Sequence, residues 1–297
     1  MSSVTKLGYV GIEADDLGAW KKFGTDVMGL QVGRDSSDSQ LYLRSDERHH
    51  RMTVHPGGSN DISYIGWEVA NHEALEAAAA SLERHGVKVT AATPTQCADR
   101  RALEMVYFTC PHTGVRMELS FGNEVVFNPP YRPSRELSGF KTGDLGMGHL
   151  VLYTTDPEKT ADFYVKALGF GVSDWVVSPE GKRLAVFLHC NPRHHSIAFI
   201  FWPTMPRKIQ HVFLETNTLD DIGRSYDLCK QLELAKTTIG RHPNDRSVSF
   251  YFKNPSRWFI EYGWDLRVVD PQTNTVEQYV LRPGISWGHA GLRELES

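Results

Sequence analysis

The sequence has few cysteines and no long apolar run. Its four cysteines, Cys97, Cys110, Cys190 and Cys229, lie far apart and form no CxxC pair. Neither a zinc ribbon nor a disulfide framework is therefore indicated. No stretch approaches the roughly 18 to 20 apolar residues of a membrane span, and the first residues form no apolar signal region. We expect a cytoplasmic protein with buried thiols and no membrane partner.

The chain also lacks a surplus of positive charge and the glycine-rich motifs of nucleotide sites. Its 32 lysine and arginine residues are outnumbered by 36 aspartate and glutamate residues, which gives a net charge of -4. Nucleic acid needs a cationic surface, so it is a poor candidate partner. Neither GxGxxG nor GxxxxGK followed by Ser or Thr occurs. Nucleotide chemistry therefore has no anchor here.

An internal repeat is present instead. The stretch "LGYVGIEADDLGAWKKFGTDVMGLQVG" from Leu7 resembles "LGMGHLVLYTTDPEKTADFYVKALGFGVS" from Leu145. Each predicts a strand, an Asp-containing turn, an amphipathic helix and a Gly-terminated exit. A weaker pair, "YIGWEVANHEALEAAAASL" and "HVFLETNTLDDIGRSYDL", places Glu68 opposite Glu215. With the short strand-like runs that follow each helix, the chain is predicted to form four modules of roughly 60 residues.

A Pro-rich connector near mid-chain separates the two halves of this repeat. It reads "FNPPYRPSRELSGF", from Phe127 to Phe140. Stretches of this composition commonly lie between domains. We therefore predict an α+β protein of two domains, residues 1–134 and 135–297, each built from two βαβββ modules.

The repeat provides an internal control for function, because residues that determine the fold should recur in both halves whereas site residues need not. The matched positions are Gly11 and His149, Tyr64 and His211, and Glu118 and Glu261. Only the C-terminal half keeps two imidazoles and a carboxylate, the donor set of a non-haem Fe(II) site with open positions for substrate and dioxygen. The same donors suit Mn(II) and do not exclude Zn(II).

A pair of adjacent histidines heads an apolar run in the stretch "FLHCNPRHHSIAFIF". If this run is a strand, the rings of His194 and His195 point to opposite faces, so at most one of them serves a given cavity. The residues alone do not say which ring faces inward.

Several segments together resemble a known family. They are "GMGHLVLYTTD", "HHSIAF", "IQHVFLE", "GRHPNDRSVSFYFKNPS" and "FIEYGWD". The chain resembles, over essentially its whole length, the type I extradiol catechol dioxygenases of the vicinal oxygen chelate superfamily, and most closely the 2,3-dihydroxybiphenyl 1,2-dioxygenase group. The run from Gly240 to Glu261 is the most specific part. It departs from the family signature two residues after Pro255, where Arg257 stands in place of the usual Gly or Pro and is followed by the bulky Trp258.

The resemblance implies a fold, an activity and cofactors. The fold would be of the vicinal oxygen chelate type, with incomplete barrels around a funnel and with the metal in the C-terminal domain alone. The activity would be cleavage of a catechol ring next to its two hydroxyls, with both atoms of dioxygen entering the product. The implied substrate is 2,3-dihydroxybiphenyl or a related bicyclic, polycyclic or alkylated catechol. Fe(II), or alternatively Mn(II), would be the metal, dioxygen the co-substrate, and the protein a homo-oligomer.

The resemblance also implies roles for single residues. His149, His211 and Glu261 would bind the metal, and His195 would be the active-site acid and base. His194 is then expected to be its solvent-facing neighbour.

Further residues of the implied site lie in the later part of the chain and around the substrate. His242 and Tyr251 would approach the catechol oxygens, and Asp245 would lie behind His242 and fix its orientation. Without the resemblance, these three read as a turn pair and a cross-strand aromatic. Phe187 and Ala198 would contact the substrate.

Other candidates for the pocket and other histidines rest on weaker patterns. The aromatic pocket candidates are Phe199, Phe201, Trp202 and the run "YVLRPGISWGHAGL", which we expect to close over the site. A surface role is expected for His49, His50, His55, His72, His85 and His112, the first three of which lie in a charged segment that reads as an exposed hairpin.

Two other functions stay open on the residues. One is a different vicinal oxygen chelate activity, such as a glyoxalase-like isomerase or a keto-acid dioxygenase, which would share the metal set. The other is a metal-free ligand-binding module built on the same repeat, which predicts no metal at all and fits the asymmetry between the halves poorly.

Overall fold

The computed structural model describes residues 4–205, 207–281 and 287–292. Within these ranges the N-terminal half contains the strands β1 (Val4–Ala14), β2 (Gln31–Val32), β3 (Leu41–Arg44), β4 (Met52–Pro56), β5 (Asp61–Val69), β6 (Thr90–Ala91), β7 (Glu104–Thr109) and β8 (Arg116–Phe121). The C-terminal half contains β9 (His149–Thr154), β10 (Gly171–Val177), β11 (Arg183–His189), β12 (Ile197–Phe201), β13 (Ile209–Glu215), β14 (Gly240–Arg241), β15 (Val248–Lys253), β16 (Phe259–Trp264) and β17 (Glu277–Val280).

The helices alternate with these strands as the repeat predicts. They are α1 (Leu17–Lys22), which continues as a π-helical turn at Phe23–Val27, α2 (His72–Arg84), α3 (Pro94–Arg100), α4 (Pro157–Leu168) and α5 (Leu219–Gln231), with a 3-10 turn at Gly143–Leu145. The four module helices start after Asp16, Asn71, Asp156 and Thr218, whose side-chain oxygens each accept a backbone N–H of the first turn. These N-caps satisfy donors that a helix start leaves without intrahelical partners.

The two halves form two sheets of the same strand order. The first sheet runs β2-β3-β4-β1-β5-β8-β7-β6, and the second runs β10-β11-β12-β9-β13-β16-β15-β14 with β17 added outside β10. In each sheet the first strands of the two modules, β1 with β5 and β9 with β13, pair antiparallel at the centre. Neither sheet closes on itself within the described residues. The predicted α+β fold of four βαβββ modules in open sheets is therefore confirmed.

A continuous apolar core joins the two halves. The indole of Trp20 in α1 lies 5.6 Å from that of Trp258, and the Trp67 ring of β5 lies 5.0 Å from Phe170, measured between ring centroids. Both sheets contribute to one cluster of buried side chains. The boundary between residues 134 and 135 stays a prediction.

The turn before β16 forms despite its unusual residues. Arg257 adopts the left-handed conformation with φ of 67°, which explains why a glycine suits this place. Its N–H donates to the Asn254 carbonyl at 3.0 Å, and the Asn254 N–H donates to the Trp258 carbonyl at 3.1 Å. Trp258 is fully buried against Trp20, so the bulky residue anchors one half on the other.

No helix among the described residues is long and apolar enough to cross a bilayer.

Candidate metal centre and substrate cavity

The three predicted metal ligands lie on adjacent central strands of the second sheet. His149 opens β9, His211 lies on β13 and Glu261 lies on β16, and the pairing of His149 and Glu261 with the same residue, Phe213, sets their register. Gly148 precedes His149 with φ of 145°, and a Cβ there would lie 1.9 Å from the Phe213 carbonyl oxygen. Glycine therefore lets β9 approach β13 closely enough to bring the ligands together.

The potential donor atoms of these residues converge in a buried space. Nε2 of His211 lies 3.0 Å from Oε2 of Glu261 and 3.3 Å from Nε2 of His149, and all three side chains are buried. The Nδ1–H of His211 donates a hydrogen bond to Oε1 of Gln210, which leaves Nε2 with a lone pair. Nδ1 of His149 and Oε1 of Glu261 have no hydrogen-bond partner in the described chain.

The electrostatics of this cluster fit a bound cation. Burial lowers the pKa of His149 to about 3, so its imidazole is neutral at pH 7. Burial alone would raise the pKa of Glu261, but contacts with His149, His211 and His242 lower it more, and the net pKa lies well below its usual range. Two neutral imidazoles and one carboxylate are the donor set of Fe(II), Mn(II) and Zn(II) sites. The residues present therefore fit a divalent metal.

The first sheet has a position that matches each of the three candidate metal ligands of the second sheet. Strand pairing makes Val10 the counterpart of Leu150, because Val10 pairs with Met52 and Ile65 where Leu150 pairs with Ile197 and Val212. The counterparts of His149, His211 and Glu261 are therefore Tyr9, Tyr64 and Glu118. The predicted match of Gly11 with His149 is therefore wrong by two residues. A shift of two residues keeps a side chain on the same face of a strand, so the apolar pattern of the sequence could not reveal the error. The helix caps Asp16 and Asp156 agree with the corrected register.

An arginine lies among these counterpart residues. Nε of Arg100 donates to Oε2 of Glu118 at 2.8 Å, and its guanidinium carbon lies 3.7 Å above the centre of the Tyr64 ring. The Tyr9 hydroxyl donates to the same carboxylate at 3.0 Å, and Arg116 donates to Oε1 at 2.8 Å. The fully buried Glu118 is thus neutralised by side chains of the protein itself.

Replacing Arg100 with methionine is expected to destabilise the protein without changing its metal content. The substitution removes one of two cations from a buried carboxylate, and such losses cost about 2–4 kcal/mol. Urea unfolding of metal-loaded protein, with metal analysis, measures both quantities. Arg101→Met is the matched control, since Arg101 pairs with the half-exposed Asp35 and should cost under about 1 kcal/mol. Equal losses in the two variants would contradict the prediction.

His195 lies against the candidate metal ligand His149, and the neighbouring His194 is also buried. The His195 ring centre lies 3.8 Å from that of His149, whose other face stacks on Phe213 at 4.2 Å. The pair does not belong to a strand, because β12 begins at Ile197, so strand alternation does not apply to it. The expectation that His194 faces solvent is wrong: the residue is 1% exposed, and its Nδ1 lies 3.0 Å from Nδ1 of His195.

His242 and Tyr251 also meet at the cluster. Nε2 of His242 lies 2.9 Å from the Tyr251 hydroxyl and 3.5 Å from Oε1 of Glu261. Burial, with the charges of Glu261 and Asp245, raises the pKa of Tyr251 well above its usual value, so the phenol keeps its proton. Burial would lower the pKa of His242, but Glu261 and Asp245 outweigh it and raise the pKa.

Asp245 lines the cavity but acts on His242 at a distance. Its Oδ1 accepts the N–H and the hydroxyl of Ser247, at 3.0 and 2.9 Å. The described contacts include no hydrogen bond between Asp245 and His242. What packs on the His242 ring is His289, whose ring centre lies 4.3 Å away. The orientation expected from Asp245 is thus supplied in part by a residue of the C-terminal run, which was expected to close over the site but not to contact His242.

A cavity of about 310 Å³ opens beside the ligand cluster. Its polar end is lined by His149, His195, Gln210, His211, His242, Asn244, Asp245, Tyr251 and Glu261. Its walls are mostly apolar and consist of Val151, Tyr153, Val176, Leu184, Ala185, Phe187, Ile200, Phe201, Trp202, Leu281 and Leu292. The volume lies at the lower end of the range of about 300–1,000 Å³ for small-molecule sites. The site can therefore hold a small aromatic molecule with its polar edge toward the cluster.

Only some of the predicted pocket residues line this cavity. Phe187, Phe201 and Trp202 line the cavity. Phe199 does not, because it is buried in the apolar core. Ala198 lies between Val151 and Phe187 in the sheet but is not among the lining residues. Within the C-terminal run, Leu281 and Leu292 reach the cavity, whereas residues 282–286 lie outside the described chain.

The charged segment of the N-terminal half is not an exposed hairpin. His49 and His50 are buried, at 1% and 5% exposure, and His55 is half-buried. The neighbouring Arg51 turns inward and pairs with Asp46 at 2.7 Å. His72 and His85 are exposed as expected, and His112 is half-buried.

The buried pair His49 and His50 is the counterpart of His194 and His195. Both follow an arginine that binds a matched glutamate, Arg48 to Glu68 at 2.5 Å and Arg193 to Glu215 at 2.6 Å. The repeated tripeptide Arg-His-His was the signal in the sequence that could have revealed this.

A wider, open cleft of about 1070 Å³ lies between the two halves, away from the ligand cluster. Lys6, Arg48, Glu68 and Asp144 are among its lining residues. The described metal-type cluster of His149, His211 and Glu261 is not part of it. The smaller cavity is therefore the candidate site.

Comparison with known proteins places these features in context. Residues 7–57 match the model of the dihydroxybiphenyl dioxygenase BphC D1 family, and residues 146–262 match the glyoxalase/bleomycin resistance protein/dioxygenase superfamily. The chain is 37% identical to a biphenyl-2,3-diol 1,2-dioxygenase of Pseudomonas sp. (strain KKS102), over 98% of this chain and 99% of the relative. It is 36% identical to a 3-methylcatechol 2,3-dioxygenase of Pseudomonas putida, over 97% and 98%. An iron-dependent extradiol dioxygenase of Rhodococcus jostii is also 36% identical, over 97% of each chain.

Solved structures give the same result for the fold. The crystal structure of BphC, a halotolerant catechol dioxygenase, superposes with a TM-score of 0.90 at 34% identity, over 98% of this chain and 95% of the other. A Mn(II)-bound glyoxalase from Novosphingobium aromaticivorans superposes with a TM-score of 0.83 at 25% identity, over 99% and 94%.

Proposed function

The chain belongs to the type I extradiol catechol dioxygenases of the vicinal oxygen chelate superfamily, and we propose that it acts on 2,3-dihydroxybiphenyl or a related catechol with an apolar substituent. It is an oxidoreductase that opens a catechol ring beside its two hydroxyl groups and adds both atoms of dioxygen. The metal is proposed to be iron(II), held by His149, His211 and Glu261. A homo-oligomeric state and a cytoplasmic location stay predictions from the family.

One observation supports this proposal most strongly. The donor atoms of His149, His211 and Glu261 lie within 4.8 Å of one another at the polar end of an apolar cavity. His195, His242 and Tyr251 line the same end. The site thus combines a metal-type cluster, proton-handling groups and an apolar wall in one space.

Iron(II), when bound, would favour the anionic form of a catechol and supply the electron transfer that oxygen chemistry requires. The protein must then move protons, and His195 is placed to do so. Burial, with the neighbouring His149 and His194 rings, lowers the pKa of His195 well below its usual value. A neutral imidazole can accept a proton from a catechol hydroxyl and later return it to an oxygen of the reacting group.

His242 and Tyr251 are proposed to hold the catechol oxygens. Because the pKa of Tyr251 is raised, its hydroxyl is available as a hydrogen-bond donor at neutral pH. His242, with its raised pKa, offers a second donor 2.9 Å from that hydroxyl. Donors fixed in advance toward oxygen atoms that gain negative charge stabilise that charge. The two groups would thereby set which catechol oxygen keeps its proton.

A direct experiment tests the proposal. Protein purified without oxygen is analysed for iron, manganese and zinc, and then mixed with 2,3-dihydroxybiphenyl and oxygen. Bound iron, one equivalent of oxygen consumed per catechol and a yellow ring-cleavage product are expected. Bound metal with no oxygen uptake on a panel of catechols would overturn the proposed activity, and absence of metal binding would favour a ligand-binding module.

The cavity wall predicts discrimination against charged substituents. No lysine or arginine among the described residues lines the cavity. An unpaired carboxylate would lose several kcal/mol on burial there. We expect kcat/KM for 3-(2,3-dihydroxyphenyl)propionate to be at least about 100-fold below that for 3-propylcatechol, which is similar in shape but neutral. Oxygen-electrode assays with both compounds measure the ratio, and equal values would contradict the proposed apolar specificity.

A further inference from the structure

A chain of three buried polar side chains leads from the interior of the second sheet to His195. Oδ2 of Asp174, on β10, lies 2.9 Å from Nε2 of His194. Nδ1 of His194 lies 3.0 Å from Nδ1 of His195, and the two rings meet edge to face at 89°. Asp174 is fully buried, and both histidines are 1% exposed. These contacts are therefore shielded from water along their whole length.

The chemistry of the three groups sets where their protons lie. Oδ2 of Asp174 and Nε2 of His194 have no aligned hydrogen-bond partner in the described chain, and their nearest polar contact is their own approach at 2.9 Å. A carboxylate oxygen this close disfavours a bare ring nitrogen, so the proton of His194 lies on Nε2. The Nδ1 of a neutral His194 is then bare and accepts from Nδ1 of His195. What remains on His195 is a bare Nε2, the nitrogen that can take a proton from a substrate.

We propose that Asp174 and His194 are positioning residues that hold His195 in its Nδ1–H tautomer. The inference rests on the proposed function for the role of His195, and it adds the two groups that would keep its Nε2 basic. Neither group touches substrate, and both act through His195. A partner that fixes one ring nitrogen determines which nitrogen of a histidine is free.

The N-terminal half contains a looser version of the same chain. Nδ1 of His49 lies 3.1 Å from Nδ1 of His50, but Nε2 of His49 lies 3.5 Å from Oδ2 of Asp35. Asp35 is half-exposed, and that same oxygen accepts from Arg101 at 2.7 Å. The histidine pair thus recurs where no metal-type cluster lies, whereas the short, buried carboxylate contact lies beside His195. The histidine pair occurs in both halves, so packing accounts for it. The two halves differ in the carboxylate beside the pair, which is the buried Asp174 in one half and the half-exposed Asp35 in the other.

The key variant is Asp174→Asn, which keeps the shape and removes the charge. Nδ2 of Asn244 approaches Oδ1 of Asp174 at 3.4 Å, so the amide oxygen of the variant should face Asn244 and its NH₂ should face His194. The proton positions along the whole chain of contacts would reverse and leave the proton of His195 on Nε2. His194→Phe keeps the ring volume without the bonds. In His194→Gln the side-chain oxygen can accept from His195 while the NH₂ donates to Asp174, so this variant should rescue the arrangement.

The tautomer of His195 is read directly by two-bond ¹H–¹⁵N correlation spectra of histidine-labelled protein loaded with diamagnetic zinc. His195→Gln assigns the signal. We expect Nδ1–H in the wild type and in His194→Gln, and Nε2–H in Asp174→Asn. A wild-type His195 protonated on Nε2, or an unchanged tautomer in Asp174→Asn, would overturn the inference. This measurement needs no turnover, so it stands even if the protein cleaves no catechol.

Kinetics of the iron-loaded enzyme provide the second readout. For Asp174→Asn and His194→Phe we expect kcat to fall about 100-fold or more, as when a catalytic histidine is held in the wrong tautomer, with KM and iron content little changed. His194→Gln should stay within about tenfold of wild type. His49→Phe, the matched control in the other half, should keep full turnover. If His49→Phe and His194→Phe lost activity equally, the effect would be structural and the positioning role wrong.

Discussion

Replacing Glu261 with glutamine is expected to abolish both metal binding and ring cleavage. Glutamine keeps the size of the side chain but removes the one negative charge among the three converging ligands, so two neutral imidazoles would face the cation alone. Losing even a hydrogen-bond partner of a metal ligand typically costs about 10- to 100-fold in affinity, so the loss of the ligand itself should exceed about 100-fold. Iron titration under anaerobic conditions measures this, and His149→Ala should behave in the same way.

The matched control for Glu261→Gln is Glu118→Gln. Glu118 occupies the same place in the first sheet and is equally buried, but it is bound by Arg100, Arg116 and Tyr9. Its replacement leaves two cations with weaker partners and should lower the free energy of unfolding by about 2–4 kcal/mol while iron binding stays intact. Glu261→Gln protein that bound iron normally, or Glu118→Gln protein that lost it, would show that the ligand set is misplaced.

The contrast between these two glutamates shows how much of the site could be predicted from the sequence. Two matched pairs of the repeat, Tyr64 with His211 and Glu118 with Glu261, agree with the strand register. The third pair, Gly11 with His149, was wrong. It was found by counting the same number of residues from Leu7 and from Leu145, and these two leucines do not occupy equivalent positions in the two sheets. A shift of two residues preserves the face of a strand, so the apolar pattern could not reveal it.

Other errors came from reading charge as exposure. The segment around His49 and His50 is polar throughout, yet Arg51 turns inward to Asp46 and Glu68. Polar residues can be buried when each has a partner, and partners distant in sequence are not visible in a local pattern. Asp174 was missed for the same reason, since it lies on β10, distant in sequence from His194, and has no motif around it.

The fold itself was largely predictable, because it repeats. Four module helices, each preceded by a strand and a turn and followed by short strands, follow from one pattern read four times, and each half supports the interpretation of the other. The order of the strands within each sheet was not predicted. The C-terminal contribution to the site was only partly predictable. His289 packs on the His242 ring and Leu292 lines the cavity, both from outside the helices and strands, and a Cβ on Gly240 would lie 2.5 Å from the His289 backbone nitrogen. That close approach depends on tertiary packing alone.

The second large effect is expected for His195→Gln, which should retain iron and lose turnover. The His195 ring centre lies 3.8 Å from that of the proposed ligand His149, but His195 is not part of the converging donor set, so the metal should bind as in the wild type. Glutamine cannot take up and return a proton at neutral pH, and the loss of a positioned acid–base group typically costs about 10²- to 10⁴-fold in rate. Iron analysis, anaerobic titration with 2,3-dihydroxybiphenyl and single-turnover mixing with oxygen separate metal content, substrate affinity and chemistry.

His50→Gln, the counterpart in the first half, should leave all three unchanged. Wild-type turnover in His195→Gln would show that another group handles the proton. Loss of iron in that variant would show instead that His195 supports the ligands. Because burial lowers the pKa of His195, the acid limb of kcat/KM in the wild type should lie below the ordinary histidine range, and it should be missing in the variant.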